Sequence, residues 1–208
     1  MDTHAKATTI GVILAGGASR RMGQDKAMLP AREHASLLHH QVDLMQQLGL
    51  QQLFISRHAS LSTPDDLQHL VVCDVNDEHH DGPLAGLFSI ANACPKATAL
   101  LVMPVDLPLM DLPTLRYLLT TGHSDHRAVY FLQEYLPLYL PLSANVRQYL
   151  EDQLTLATAD KSIRGLLSFC QALSLQPANP TALTNTNTHD EWLASQQVGA
   201  YPNVIERE

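Results

Sequence analysis

Apolar positions along this chain occur in two kinds of run, continuous and periodic. Thr8-Thr9-Ile10-Gly11-Val12-Ile13-Leu14 is apolar and β-branched, which predicts a strand buried on both faces. Across 36–48 the apolar residues are Leu37, Leu38, Val42, Leu44, Met45 and Leu48, a helical stripe that Gly49 closes. Short strands are predicted at 52–56 and 70–73, then a helix over 83–94 with Pro83 in its first turn. The stretch 97–103 is another continuous apolar strand, ended by Pro104. Asp111 caps the helix that follows, with Pro113 in its first turn and Leu112, Leu115 and Leu119 facing inward. Beyond it, 127–132 and 135–140 read as strands, and 145–154 and 162–170 as short helices. Thr188-His189-Asp190-Glu191 is a capping box that opens a last helix carrying Trp192 and Leu193.

Strands alternating with helices predict an α/β fold of three layers, with a mainly parallel central sheet covered on both faces. No internal repeat, low-complexity stretch or linker interrupts the pattern. Residues 7–196 are therefore expected to form a single domain, with flexible termini at 1–6 and 197–208. A length of 208 residues suits one sizeable domain better than two.

A net charge of −8 argues against nucleic acid as a partner, because phosphate-backbone binding needs a basic face. A small anionic substrate stays compatible, since a few local Lys and Arg can make a positive pocket. The first nine residues are polar and mixed, unlike a signal peptide. No apolar run reaches the roughly 20 residues of a membrane helix, so a cytoplasmic protein with no membrane partner is expected. Cys73, Cys94 and Cys170 match neither a disulfide nor a zinc spacing. Cys73 is expected to be a small buried core residue. The adjacent pair His39-His40 cannot chelate from one helix face, and His79-His80 is expected in an exposed loop.

The candidate chemistry follows the first strand directly, as Leu14-Ala15-Gly16-Gly17-Ala18-Ser19-Arg20-Arg21-Met22-Gly23-Gln24-Asp25-Lys26. Ligands bind outside the carboxyl ends of parallel strands. Gly16 and Gly17 let backbone N–H groups approach phosphates or a base edge, and Arg21 and Lys26 supply cations for a polyphosphate. Neither the Walker spacing nor the dinucleotide GxGxxG is present. A glycine-rich turn without a ligand is the structural alternative, but it leaves the ordered positions beyond the glycines unexplained.

That stretch resembles the signature of the molybdenum cofactor guanylyltransferases, which belong with the sugar-phosphate pyrophosphorylases among the nucleotidyltransferases. Three later features agree in order: Asp74 after the third strand, Gly82-Pro83-Leu84-Ala85-Gly86 opening a helix, and Asp106 within Pro104-Val105-Asp106-Leu107-Pro108. The resemblance implies a Rossmann-like nucleotidyltransferase fold and transfer of GMP from GTP to the terminal phosphate of molybdopterin, with release of pyrophosphate. It implies Mg2+ as cofactor, held by Asp106, with Arg21, Lys26 and Asp106 catalytic. Nucleotide binding is implied for Leu14, Ala15, Gly16, Gly17, Lys26, Ser56, Asp74, Gly82 and Asp106. Ser56 stands where the family often has Asn, so that contact reaches less far.

On the acceptor side the resemblance implies Arg164, Asn185 and Asn187. The stretch Asn185-Thr186-Asn187-Thr188 also reads as a plain polar turn with Thr188 as cap. Leu14-Ala15-Gly16-Gly17 is the guanylyl form, where related cytidylyltransferases usually show Leu-Ala-Ala-Gly. The extra glycine gives a purine more room. Implied partners are GTP and the molybdenum cofactor, then molybdoenzyme apo-proteins or their chaperones. The competing readings are a relative using CTP or another NTP, and a carrier of the cofactor without turnover.

Overall fold

The computed structural model describes residues 8–17, 25–31, 33–50, 52–73, 82–156 and 160–198. Among the described residues seven strands form one sheet: β1 (Thr9–Leu14), β2 (Gln52–Arg57), β3 (Val71–Cys73), β4 (Ala99–Pro104), β5 (Val129–Phe131), β6 (Leu138–Pro141) and β7 (Leu173–Leu175). Their spatial order is β3-β2-β1-β4-β6-β5-β7. The pairings β1–β2, β1–β4, β2–β3 and β5–β7 are parallel, whereas β6 runs antiparallel to both β4 and β5. The sheet is thus mainly parallel, and its one antiparallel insertion is β6.

Among the described residues there are six α-helices: α1 (Leu37–Gln47), α2 (Gly82–Ala93), α3 (Leu112–Asp125), α4 (Ala144–Thr155), α5 (Ile163–Phe169) and α6 (His189–Val198). Strand alternation explains the three layers. In β4, Ala99, Leu101 and Met103 join a core with Leu38 and Met45 of α1 and Leu115 and Leu118 of α3. Leu100 and Val102 point the other way, into a core with Leu84 and Leu87 of α2, Leu150 of α4 and Leu166 of α5. Both faces of a central strand are therefore dry, which is why its sequence shows no polar alternation.

The helix starts follow capping chemistry. Ser36, Asp111, Ser143 and Ser162 each accept a hydrogen bond from the backbone N–H three residues on, at 3.3, 2.8, 3.2 and 3.0 Å. Gly122 of α3 has a different task. A Cβ there would stand 2.2 Å from Cδ1 and 2.9 Å from Cβ of Tyr139 in β6, so the helix lies on that ring only because the residue is glycine. Gly122→Ala is expected to destabilise the fold by about 1–3 kcal/mol through overpacking, read as a lower urea midpoint. An unchanged midpoint would contradict the packing of α3 on β6.

Three sequence expectations need correction. The strands expected at 127–132 and 135–140 shorten to Val129–Phe131 and Leu138–Pro141; Pro137, which lacks a donor for the ladder, precedes the second. Strand β7 was not expected, since its three residues carry no readable period. Cys73 is exposed rather than buried. It ends the three-residue edge strand β3, which has β2 on one side only. Among the described residues no helix is long and apolar enough to cross a membrane. Of the expected termini 1–6 and 197–208, residues 1–6 and 199–208 lie outside the described residues, whereas 197 and 198 belong to α6, which runs to Val198.

Candidate active site

Strand order reverses at β1: β2 and β3 lie on one side of it and β4 on the other. The crevice at the carboxyl ends of β1 and β4 is therefore the switch point, where α/β sheets bind ligands. The backbone is tightly registered there. Leu14 pairs with Ser56 and Pro104, Ala15 N donates to Ser56 O at 2.9 Å, and Val105 N donates to Leu14 O at 3.0 Å. Gly16 and Gly17 follow, and a Cβ at Gly17 would meet nothing within 4 Å. Among the described residues no packing contact demands that glycine.

Lys26 opens a 3-10 turn, Lys26–Met28, capped by Asp25, whose Oδ1 accepts from Ala27 N at 3.1 Å. The Lys26 side chain is mostly buried, and its Nζ lies 3.6 Å from Asp106 Oδ2. The same ammonium donates to Asn187 Oδ1 at 2.9 Å. Three segments distant in sequence thus meet at one point: the glycine-rich loop, the turn after β4 and the stretch before α6. Asp106 is the most open of the pair, with 23% of its side chain exposed against 11% for Lys26.

The turn carrying Asp106 is braced from two sides. Thr186 N donates to Asp106 O at 3.2 Å, and the fully buried Gln41 of α1 donates its Nε2 to Leu107 O at 2.8 Å. Trp192 of α6 packs with Leu29, Ala31 and Leu37 near Val105. The capping box of α6 holds Asn187: Glu191 Oε2 accepts from Asn187 N at 2.6 Å and from Thr188 N at 3.0 Å, and Thr188 Oγ1 accepts from Glu191 N at 3.2 Å. The turn-and-cap reading of this stretch is thus realised, and Asn187 additionally faces Lys26.

The Asn187 and Thr188 amides hold the Glu191 carboxyl below its ordinary value of about 4.5. A lowered folded-state value means the stabilisation is fully present above the unfolded value and lost as pH falls through the folded one. Glu191→Gln is therefore expected to melt earlier than wild type near neutral pH, with the gap closing in acid. A melting-temperature gap that stays constant across the acid range would refute that role.

Glu134, between β5 and β6, was not singled out from the sequence. Burial pushes its carboxyl up, and the negative charge of Asp106 pushes it further. Glu134 and Asp106 are thus two carboxyl groups within electrostatic reach of each other. Among the described residues no group of three or more His, Cys, Asp and Glu could hold a metal ion. The Asp106 carboxylate could therefore serve a divalent ion only together with other ligands such as substrate phosphates, an arrangement common for Mg2+.

The remaining expected residues fall around this centre. Ser56 is buried beside Leu14. Gly82 adopts φ 68° at the start of α2 and lies near Lys161 O, just before α5; only glycine takes that conformation without strain. Arg164 is exposed on α5 and lines a pocket of about 660 Å³ with Tyr130, Tyr135 and Gln171, a lining that includes neither Lys26 nor Asp106. Asn185 is exposed. Arg21, Asp74 and His79-His80 lie outside the described residues.

One convergence invisible in the sequence resembles a hydrolase triad. Ser36 Oγ is 2.6 Å from His39 Nδ1, and His39 Nε2 is 3.2 Å from Asp66 Oδ2. Ser36 is only 2% exposed and its oxygen caps α1, so no substrate carbonyl can reach it.

The family model of the MobA-like NTP transferase domain matches residues 11–176. A molybdenum cofactor guanylyltransferase of Xanthomonas euvesicatoria is 35% identical over 184 residues, covering 88% of this chain and 91% of its own length. Among solved structures, molybdopterin-guanine dinucleotide biosynthesis protein A from Archaeoglobus fulgidus superposes with TM-score 0.68 at 16% identity, over 91% of this chain and 98% of that one. A 4-diphosphocytidyl-2C-methyl-D-erythritol synthase from Anaerococcus prevotii superposes with TM-score 0.70 at 10% identity, over 94% and 97%. Two proteins whose names carry different bases share the fold, so the fold by itself does not choose the nucleotide. The 35% relative and the family model decide the family: the chain belongs to the MobA-like NTP transferases, among the molybdenum cofactor guanylyltransferases, and is a nucleotidyltransferase enzyme.

Proposed function

We propose that the protein transfers GMP from GTP to the terminal phosphate of molybdopterin or the molybdenum cofactor, in the cytoplasm, giving the guanine dinucleotide form and pyrophosphate. The observation that carries this reading is the meeting of Lys26, Asp106 and Asn187 at the β1–β4 switch point. The nucleotide lies over the glycine-rich loop, with its phosphates toward the Lys26 ammonium. Arg21 supplies a second cation, and Ser56, Asp74 and Gly82 complete the nucleotide side. Asp106 would hold Mg2+, which when bound neutralises phosphate charge.

An oxygen of the acceptor phosphate forms a bond to the α-phosphorus. The bond from that phosphorus to the bridging oxygen breaks, and its electron pair leaves with pyrophosphate. A phosphate monoester is already anionic, so no general base is required. What the chain contributes is positioning and charge neutralisation. Asn187 and Asn185 face the acceptor, and the pocket beside Arg164, with its tyrosines, offers that acceptor a cation and apolar rings.

The test incubates the protein with each NTP, Mg2+ and purified molybdopterin and measures pyrophosphate. GTP is expected to exceed CTP in kcat/KM by at least about tenfold, or about 1.4 kcal/mol. Gly16→Ala, which moves the loop toward Leu-Ala-Ala-Gly, should lose GTP activity more than CTP activity. A wild type that favours CTP would overturn the guanylyl assignment and leave the transferase. Tight GTP binding without pyrophosphate would point to a cofactor carrier instead.

A further inference from the structure

Arg57 has no solvent exposure and is the bulkiest fully buried side chain among the described residues. It ends β2, and its guanidinium is spread over three partners. Nη1 donates to Ala15 O at 2.9 Å, Nη2 donates to the Asp25 carboxylate, and Nε and Nη2 reach Ser62 O at 3.1 and 2.5 Å. Ala15 immediately precedes the two glycines of the loop, and Asp25 immediately precedes Lys26. One planar group therefore ties together the two ends of the glycine-rich loop. The Asp25 carboxylate takes part twice, since its other oxygen caps the turn that carries Lys26.

A buried ion pair is a poor way to gain stability, because desolvating both charges offsets most of their attraction. An apolar side chain of similar volume would serve the core as well. A rigid fork of donors is needed for something else, namely to hold a carbonyl and a carboxylate at a fixed separation.

We infer that Arg57 and Asp25 are positioning residues for the nucleotide: they fix the span of the loop from Ala15 to Asp25 and so place the Lys26 ammonium beside Asp106. The inference rests on the nucleotide-binding reading of that loop. Neither residue contacts the reacting atoms. Their effect reaches the substrate through the loop backbone and Lys26.

Two variants separate geometry from charge. Arg57→Lys keeps a cation for Asp25, but an ammonium is a single point and cannot span Ala15 and Asp25 together. The double variant Asp25→Asn/Arg57→Met removes both charges, so no buried charge is left unpaired. GTP affinity is measured by calorimetry with Mg2+, and kcat and KM for GTP are measured at a temperature where circular dichroism shows each variant folded. Arg57→Lys is expected to stay folded, melting below wild type because a buried carbonyl loses its donor. At a temperature where it is fully folded it should bind GTP at least about fivefold more weakly, and the double variant at least about tenfold, with kcat also reduced. Adding Lys26→Met to the double variant should cost less in kcat/KM than it does in wild type, because Lys26 is already displaced there; a purely structural pair would give additive losses.

Folded variants that bind and turn over GTP within twofold of wild type would overturn the inference and leave the proposed function untouched. If the double variant does not fold, Arg57→Lys decides by the same criterion. A wild type that binds no nucleotide would overturn the underlying reading and this inference with it.

Discussion

Asp106→Asn is expected to lower pyrophosphate release about a thousandfold while the protein melts within a few degrees of wild type. The substitution keeps the shape of the side chain and removes its charge. Loss of the anionic ligand forfeits several kcal/mol of charge stabilisation, and each 1.4 kcal/mol is about tenfold in rate. Stability should hardly change. The Asp106 backbone stays bonded to Thr186 N, the contact with Lys26 is long for an ion pair at 3.6 Å, and the Lys26 ammonium keeps Asn187 Oδ1 as its acceptor. Initial rates with GTP, Mg2+ and molybdopterin, set beside a thermal melt, test both halves. Near-normal turnover in a folded variant would remove Asp106 from the centre of the mechanism.

Lys26→Met carries the second-largest expected effect. The methionine keeps most of the buried stem and deletes the ammonium, so packing around the 3-10 turn survives. A charge-assisted contact to phosphate in a partly desolvated site is worth about 2–4 kcal/mol, by analogy with removing an oxyanion donor, and turnover should fall about 30- to 1,000-fold. Asn187 also loses its donor, which adds a small loss of stability. The two roles separate in the data. A large fall in kcat with a small fall in melting temperature assigns Lys26 to the reaction. A change in turnover below threefold would leave it as a tether for Asn187 alone.

The half of the fold that the sequence predicts well is the half where one element dominates each stretch. β1 and β4 are buried on both faces and so are apolar throughout, while α1 and α3 carry stripes bounded by Ser36 and Asp111. The other half rests on β5, β6 and β7, of three, four and three residues, which are too short to show a period and are held by their neighbours. The site divides along a similar line. Lys26, Asp106 and Asn187 stand in motifs and could be named, but their meeting could not, since Lys26 and Asn187 are 161 residues apart. Glu134, Gln41 and Arg57 stand in no motif. Each matters through a partner distant in the chain: Asp106, the Leu107 carbonyl and the loop ends at Ala15 and Asp25.

The capping box of α6 has a consequence for the order in which the protein becomes functional during synthesis. The last described strand of the sheet ends at Leu175, so a nascent chain released to that point already has all seven described strands, the glycine-rich loop, Lys26 and Asp106. It does not yet have Asn187, or the Glu191 that holds the Asn187 and Thr188 amides. Until α6 docks through Trp192, the Lys26 ammonium lacks its neutral partner, and the turn of Asp106 lacks the Thr186 brace. Among the described residues the sheet is therefore complete before Asn187 can reach Lys26, and the meeting of Lys26, Asp106 and Asn187 waits for α6.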